Sequence, residues 1–433
     1  MTKIINSNNK NFEEDFNDLL IMNRSSDTNV TETVSSIIAD IRNDGDDALL
    51  KYTHQFDKNE LTIEEIVLDE EEINKQSANI TDDLSNALNV SMERVRDYHK
   101  KQLPEDLIFE DDLNSKLGYV WRAVESVGIY VPGGTASYPS TVIMNAIPAI
   151  VAGVEEISMV TPMTGKYINP SVLYAAKICG IKKIFCIGGA QAIAALAYGT
   201  KTIKPVNKIV GPGNSYVASA KKEVFGDIGI ESMTAGPSEV LVVCDNKSNP
   251  EWLASDLIAQ AEHDSLAQCI LISKDKKILK KTKNEIINQL KSISRSSIAK
   301  KSLMMNGILI FENSENKIAE IINKVGPEHL ELNIKNYKSL IPKIKNAGSI
   351  YLGKYAVMAM TDYGVPGTNH VLPTNMTSKY SSGLSVSEFI KKISYINLSK
   401  KGIETLGPSV ITLATNEGLD GHAKSIKKRL GEL

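Results

Sequence analysis

The sequence predicts an α/β protein built on parallel sheets, with helical segments at its N- and C-terminal ends. Between residues 126 and 214, a short apolar run, a turn and an alanine-rich helical stretch follow one another four times, with the runs SVGIYVPGG, EEISMVTP, KKIFCIGG and NKIVGPGN. A second series follows, with the strand-like runs EVLVVCD, QCILIS, GILIFE and SIYLG. Continuous β-branched runs that alternate with helices are typical of strands buried in a parallel sheet.

The two ends of the chain favour helices. Residues 34–55 and 79–101 place apolar side chains three and four positions apart, with a capped start at Thr81. This N-terminal region is rich in charged residues, so we expect it to be mostly exposed, together with His54 and His99. The C-terminal segment also favours helices, apart from one strand-like run, SVITLAT, at 409–415.

Length, charge and cysteine content limit the class of protein. A chain of 433 residues is too long for one ordinary core and predicts two or more domains. Its 49 Lys and Arg against 52 Asp and Glu give a net charge of −3, which argues against a nucleic-acid partner. The four cysteines form no CxxC pair, and the sequence has no signal-peptide pattern and no apolar run that could span a bilayer. We therefore expect a cytoplasmic protein with no nucleic-acid or membrane partner.

Glycine turns mark one candidate ligand site. Gly133–Gly134, Gly188–Gly189 and Gly211–Gly213 each follow a predicted strand and precede a predicted helix, where backbone N–H groups can bind a phosphate. None of them completes a GxGxxG motif, because Tyr216 stands three positions after Gly213. A single turn of this kind is more often plain strand–helix geometry, but three in one sheet favour a nucleotide.

Histidines among small residues mark a second candidate site. They occur in QAEH at 260–263, GPEH at 326–329, GTNH at 367–370 and DGH at 420–422. Gln260, His263, Asp362 and His422 can supply zinc with nitrogen and oxygen ligands if the chain folds back on itself. The competing interpretation is that His263 is an ordinary hydrogen-bonded residue.

Glu328 and His329 form a different kind of pair. A carboxyl group beside an imidazole can offer two bases of different strength. The alternative is a helix start with Glu328 in its first turn.

Taken together, these motifs resemble one known family. The segments VGIYVPGGTASYPSTVIMNAIPA, GGAQAIAALAYGT, KIVGPGN, AGPSEVLV, SDLIAQAEH, GPEHLEL, DYGVPGTNHVLPT, YSSGLSV and EGLDGH resemble histidinol dehydrogenase, in order and at family spacing from about Ser26 to the C-terminus. The resemblance implies an NAD-dependent zinc enzyme of histidine biosynthesis. Such an enzyme oxidises L-histidinol through L-histidinaldehyde to L-histidine in two hydride transfers.

The resemblance also implies a role for each matching residue. One zinc ion per subunit would be bound by Gln260, His263, Asp362 and His422, and the catalytic bases would be Glu328 and His329. The NAD contacts would be Tyr130, Gln191 and Asn214. The substrate contacts would be Ser238, Gln260, His263, His329, Asp362, Glu417 and His422.

The family's architecture implies two incomplete Rossmann-like parallel-sheet domains, one inserted in the other. The expected segments are an N-terminal helical arm (1–25), a first α/β domain with the zinc ligands and bases (26–129 and 240–383), an inserted NAD domain (130–239) and a C-terminal dimerisation segment (384–433). The family forms a homodimer in which the C-terminal segment completes the partner's site, so Glu417 and His422 would act in trans.

Two alternatives stay open at this point. A zinc- and NAD-dependent dehydrogenase of the same fold could act on another amino alcohol or a diol, and an inactive relative could serve only as a binding subunit. The second is disfavoured because all four zinc ligands are retained. The departures from the family pattern are Ser232, where Asp is common, and Lys379 and Tyr380, where Arg and Phe are usual. No cysteine lies in an active-site motif, which disfavours a covalent thiol route.

Overall fold

The computed structural model describes residues 2–21, 28–133, 138–163, 165, 167–231 and 236–432, so the departure at Ser232 lies outside the described residues. In chain order, the strands are β1 (Lys3–Asn6), β2 (Val67–Leu68), β3 (Leu107–Glu110), β4 (Lys116–Ala123), β5 (Ser126–Tyr130), β6 (Glu156–Val160), β7 (Ile184–Phe185), β8 (Lys208–Val210), β9 (Gly229–Ile230), β10 (Glu239–Cys244), β11 (Gln268–Ser273), β12 (Gly307–Phe311), β13 (His329–Asn333), β14 (Ser349–Leu352) and β15 (Ile390–Asn397).

The helices connect and cover these strands. In chain order they are α1 (Phe12–Ile21), α2 (Thr28–Asp44), α3 (Asp46–Tyr52), α4 (Glu70–Ser77), α5 (Asp82–Lys100), α6 (Pro139–Ala152), α7 (Pro170–Ile178), α8 (Gly189–Tyr198), α9 (Ser215–Val224), α10 (Pro250–Ala261), α11 (Lys276–Gln289), α12 (Ser296–Met305), α13 (Glu315–Val325), α14 (Met358–Thr361), α15 (Lys400–Asn416) and α16 (Asp420–Leu430). Among the described residues, no helix is both long enough and apolar enough to cross a membrane.

The first sheet is parallel throughout, in the order β1–β12–β11–β10–β13–β14. Every residue of β10 and β11 is buried, as expected for central strands covered on both faces. Helices α1 and α13 pack on one face, and α10, α11 and α12 pack on the other. The prediction of an α/β protein with parallel sheets is confirmed.

The second sheet has the order β2–β7–β6–β5–β8–β9 and is parallel except for β2, which runs antiparallel to β7. Helices α4, α5, α6 and α7 bury their apolar residues against one face. Helices α2, α8 and α9 cover the other face. Both faces are therefore sealed from water, which is the arrangement that parallel sheets require.

A third, antiparallel sheet joins distant parts of the chain in the order β15–β4–β3. Its apolar side chains are not sealed in the single chain. Ile108 and Phe109 are 50% exposed and Ile396 is 67% exposed.

The N-terminal segment differs from its prediction as a helical, mostly exposed region. Strand β1 extends the first sheet by pairing in parallel with β12, and Phe16 on α1 is fully buried beside that sheet. Helix α2 buries Val34, Ile37 and Ile41 against the second sheet's helices. The helices of this charged region also carry an apolar stripe, and that stripe is buried against the rest of the chain.

The sheets also divide the chain differently from the expected assignment of residues 26–129 to the same domain as 240–383. Helices α2 to α5 and strand β5 pack with the second sheet, together with strands from 130–239. The expected arm, 1–25, contributes β1 to the first sheet. The insertion of one domain in the other stays a prediction.

The run SVITLAT is helical rather than extended, because it lies inside α15. Ser399 caps this helix by accepting a hydrogen bond from the backbone N–H of Gly402, and α15 packs against α16. Capping and tertiary contacts thus override the local β preference of Val410, Ile411 and Thr412.

Candidate active site

The predicted bases lie at the amino ends of the first sheet's strands. Glu328 directly precedes β13 and His329 is its first residue, so the alternative of a helix start is wrong. His329 is in register with Val240 on one neighbouring strand and with Ser349 on the other. Ser238, a predicted substrate contact, directly precedes β10 at the same edge.

The carboxyl group of Glu328 is buried and held by the backbone. Its Oε2 accepts a hydrogen bond of 3.0 Å from the N–H of Glu239, and its Oε1 lies 3.6 Å from His329 Nε2. Burial raises the pKa of Glu328 well above its usual value, and the negative charges of Glu239 and Asp362 add to this effect. This carboxyl group therefore holds its proton more tightly than an exposed glutamate does.

His329 is a buried imidazole, in contrast to an ordinary surface histidine. Only 4% of its side chain is exposed, and its Nδ1 lies 2.8 Å from the hydroxyl oxygen of Tyr351. Burial, together with the nearby His370 and His263, lowers the pKa of His329 to about 3. The ring is therefore neutral and can accept a proton.

Two of the four predicted metal ligands, His263 and Asp362, lie close enough to this pair for their charges to act on it. Gln260 is in the last turn of α10 and is buried, and its Oε1 has no hydrogen-bond partner among the described residues. His263 follows the same helix, with its Nε2 3.7 Å from Asp362 Oδ2. Burial raises the pKa of Asp362 to about 7. An amide oxygen, an imidazole nitrogen and a carboxylate make up a donor set that suits zinc.

The C-terminal residues are not brought to this site within one chain. Both residues are exposed. Glu417 directly follows α15, and His422 lies in the first turn of α16. In the part of the chain that the structure describes, no three His, Cys, Asp or Glu side chains form a group that could hold a metal ion. His422 therefore does not join His263 and Asp362 in the single chain.

The predicted NAD contacts lie at the carboxyl ends of the second sheet. Tyr130 ends β5, and its hydroxyl group accepts a hydrogen bond of 3.1 Å from the N–H of Gly189. Gln191 is fully buried in α8, and neither its amide nitrogen nor its amide oxygen has a partner among the described residues. Asn214 is exposed and caps the start of α9 through the N–H of Val217.

Several residues near these sites carried no assigned role in the sequence. Asp57 lies beside the Gly188 turn, and burial raises its pKa to about 6. Asp256 on α10 and Glu331 on β13 share a side-chain hydrogen bond, and burial raises their pKa values to about 7 and about 8. Tyr351 contacts His329. Nothing local marks these residues, because their partners are far away in the sequence.

His99 and His370 belong to one buried connection between the two sheets. His99 is fully buried rather than exposed as expected, with its Nε2 3.1 Å from Asn369 Nδ2. Asn369 also donates to the carbonyl of Met144 on α6. His370 hydrogen-bonds through Nδ1 to the carbonyl of Asp362, so this segment links the metal-type ligand to the second sheet. His54 is exposed as predicted. Tyr380, one of the departures from the family pattern, is also exposed.

The fold and these side chains define an α/β protein in which a buried carboxyl–imidazole pair lies near side chains of the metal-ligand type. The family model for histidinol dehydrogenase matches residues 21–430. The chain is 59% identical over 430 residues to histidinol dehydrogenase of Pelagibacter ubique, covering 99% of both proteins. It is 45% identical over 419 residues to histidinol dehydrogenase of Gluconobacter oxydans, covering 97% of both.

A solved structure has the same fold. Histidinol dehydrogenase from Elizabethkingia anophelis matches with a TM-score of 0.93 and 37% identity, covering 99% of this chain and 98% of that one. The chain belongs to the histidinol dehydrogenase family and is an oxidoreductase.

Proposed function

We propose that this protein oxidises L-histidinol through L-histidinaldehyde to L-histidine, with NAD as the oxidant and one zinc ion per subunit. The observation that carries this proposal is the buried pair Glu328–His329, which lies near the metal-type ligands His263 and Asp362. The reaction would be the last oxidation of histidine biosynthesis. Four free, buried cysteines suit the reducing cytoplasm, where we place the enzyme.

The residues present fit a zinc ion. The buried Oε1 of Gln260 needs a partner, since an unpaired buried amide is unfavourable, and a metal ion would supply one. Gln260, His263 and Asp362 would hold the ion together with His422 of the partner subunit. Bound zinc would act as a Lewis acid that positions the substrate.

The second sheet fits a dinucleotide. The N-termini of α8 and α9 follow glycine-containing turns, and helix N-termini favour anionic phosphates. The unpaired amide of Gln191 offers both a donor and an acceptor. Tyr130 ends β5, and Asn214 follows the neighbouring strand β8. Bound NAD would accept the hydride in each oxidation.

The two bases would serve the two oxidations in turn. His329 would take the hydroxyl proton of histidinol at Nε2 as hydride leaves the carbinol carbon. Glu328 would then take a proton from water, so that the water oxygen adds to the aldehyde carbon and gives a hydrate. Loss of hydride and of a proton from this hydrate yields the carboxylic acid. Over both steps, one water is consumed and two NAD are reduced.

Substrate binding would draw on both the first sheet and the C-terminal segment. Ser238 stands next to Glu239, whose N–H holds Glu328, so its side chain is placed at the edge that carries the bases. Glu417 and His422 of the partner subunit would complete the substrate contacts.

A homodimer would bring the C-terminal residues to the site. Leu406, Val410 and Leu413 form an exposed stripe on one face of α15, which leads directly to Glu417. Together with the exposed apolar side chains of the third sheet, this stripe is the kind of surface that a partner covers. We infer that the partner is a second copy of this chain, because the site lacks a ligand that the same segment carries.

The first experiment is the stoichiometry of NADH formation. Purified protein receives limiting L-histidinol and excess NAD, before and after chelator treatment and after zinc is restored. We expect two NADH per histidinol, lost with the chelator and regained with zinc. One NADH per histidinol would contradict the four-electron reaction, and no NADH would point to another alcohol as the substrate.

A further inference from the structure

Behind His329, a line of buried hydrogen bonds runs away from the substrate side. His329 Nδ1 lies 2.8 Å from the Tyr351 hydroxyl oxygen, which lies 3.0 Å from Thr361 Oγ1, and Thr361 Oγ1 lies 2.9 Å from the carbonyl oxygen of Met358. His329, Tyr351 and Thr361 are each no more than 7% exposed. Bulk water therefore does not compete for these groups.

The chemistry of the last group fixes the direction of every bond in this line. A carbonyl oxygen can only accept, so Thr361 donates its single hydroxyl hydrogen to Met358. Thr361 Oγ1 then has only acceptor capacity left, and Tyr351 must donate to it. The Tyr351 oxygen is in turn left as an acceptor, so the proton between it and His329 belongs to Nδ1.

A second contact holds the end of the line in place. The N–H of Met358 donates to Glu331 Oε1 at 2.8 Å, so the hydrogen-bonding groups of Met358 are fixed on both sides. Glu331 stands two positions after His329 on β13, on the same face of the strand, and is in register with Tyr351 on β14. The contacts that run from His329 through Tyr351, Thr361 and Met358 therefore return to β13 at Glu331. The carbonyl of Met358 also accepts a hydrogen bond of 3.2 Å from the backbone N–H of Asp362, so reversing the line would remove one of its two hydrogen bonds.

We propose that Tyr351 and Thr361 are positioning residues that hold His329 in the tautomer with its proton on Nδ1. Nε2, which faces Glu328 at 3.6 Å, then carries the free lone pair. This inference rests on the proposed role of His329 as the base for the alcohol proton. It adds that the base is prepared for its task by side chains that do not touch the substrate.

The test uses Tyr351→Phe, which keeps the buried ring and removes only the hydroxyl group. We expect kcat with histidinol to fall about 10- to 100-fold, as for other residues that orient a catalytic imidazole, with little change in KM or in zinc content. Thr361→Val should act in the same direction, and Thr361→Ser should restore the wild-type rate. The control is Tyr198→Phe, which removes a hydroxyl group bound to Asp227 on the exposed side of α8 and should leave kcat unchanged.

A second readout reports the tautomer itself, independently of turnover. In ¹⁵N-histidine-labelled, zinc-loaded protein, long-range proton–nitrogen spectra distinguish Nδ1–H from Nε2–H, and the signal missing from His329→Asn identifies His329. We expect Nδ1–H in the wild type and a mixture or a reversal in Tyr351→Phe. A wild-type signal of Nε2–H, or an unchanged tautomer in Tyr351→Phe, would overturn the inference.

Combining the readouts separates this inference from the proposed function. If the tautomer changes in Tyr351→Phe while its kcat stays normal and His329→Asn is inactive, the positioning role is wrong. If His329→Asn itself turns over normally, the proposed role of His329 as the base is wrong, and the positioning role falls with it.

Discussion

The two large sheets place the predicted site residues at opposite edges. In the second sheet, Tyr130 and the Gly188 and Gly211 turns lie at the carboxyl ends of strands, the usual place for a ligand in an α/β fold. In the first sheet, Glu328 and Ser238 precede their strands, so the site lies at the amino ends.

The polarity of the helices gives a physical reason for this difference. The second sheet presents the N-termini of α8 and α9, which carry a partial positive charge and suit phosphates. At the first sheet, Gln260 and His263 lie at the C-terminal end of α10, where the partial negative charge favours a cation. The edge of the second sheet thus suits an anionic ligand, and the edge of the first sheet suits a cation.

The edges also differ in the kind of ionisable groups they bury, since the buried Lys221 at the second edge is paired with Glu231 beside Gly211. Burial raises the pKa values of Glu328, Glu331, Asp256 and Asp362 around the first site. Around the second site, Asp57 is a buried carboxyl group with a raised pKa. We therefore expect changes at the first edge to act on turnover and on the pH dependence of stability, and changes at the second edge to act on NAD binding.

The largest expected effect is the loss of a base at the first edge. His329→Asn should lower kcat about 10²- to 10⁴-fold, the range of general base catalysis, while zinc stays bound. His263→Asn is the matched comparison, since it should lose zinc and activity together. Steady-state kinetics and metal analysis of both variants check this, and full zinc content in His263→Asn would contradict the ligand assignment.

An intermediate effect is expected at the second edge. Gln191→Leu keeps most of the buried volume but removes both polar atoms, so KM for NAD should rise about 10-fold because a polar contact is lost. KM for histidinol and the zinc content should not change. Initial rates at varied NAD, with thermal unfolding as a check on folding, test this. An unchanged KM for NAD would remove Gln191 from the cofactor contacts.

The smallest expected effect concerns stability and pH. The folded-state pKa values of Asp256 and Glu331, about 7 and about 8, exceed the ordinary values of 3.8 and 4.5, so the folded state binds more protons. Their contribution is most favourable below the unfolded values and is lost as pH rises toward about 8. In Asp256→Asn, the amide can donate a hydrogen bond to Glu331 but does not titrate. The stability lost as pH rises should therefore be smaller than in the wild type by about 1–3 kcal/mol.

Urea unfolding at about pH 6 and about pH 8.5 measures this effect, with the nearby charge of Asp362 present in both proteins. Glu64→Gln, at an exposed carboxyl group, is the control and should keep the wild-type pH dependence. A wild-type pH dependence in Asp256→Asn would show that the pair does not share a proton.

The sequence by itself determined the elements and the types of group in the site. Apolar β-branched runs and glycine turns predicted eight of the twelve strands that the structure describes in the two large sheets, because strand burial and turn conformation act over a few neighbouring residues, but they did not predict β1, β2, β9 or β13. Local motifs also predicted Glu328, His329, Gln260 and His263, since each pair is close together in the chain.

Only the tertiary structure decided which edge each site occupies and which groups support it. His99 forms its buried contact with Asn369, which is 270 positions away in the sequence. Asp256 on α10 shares a hydrogen bond with Glu331 on β13. The Tyr351 hydroxyl group reaches His329 because β13 and β14 are neighbours in the sheet. Strand order and such long-range contacts are set by how separate apolar faces cover one another, and no periodicity within one segment records them.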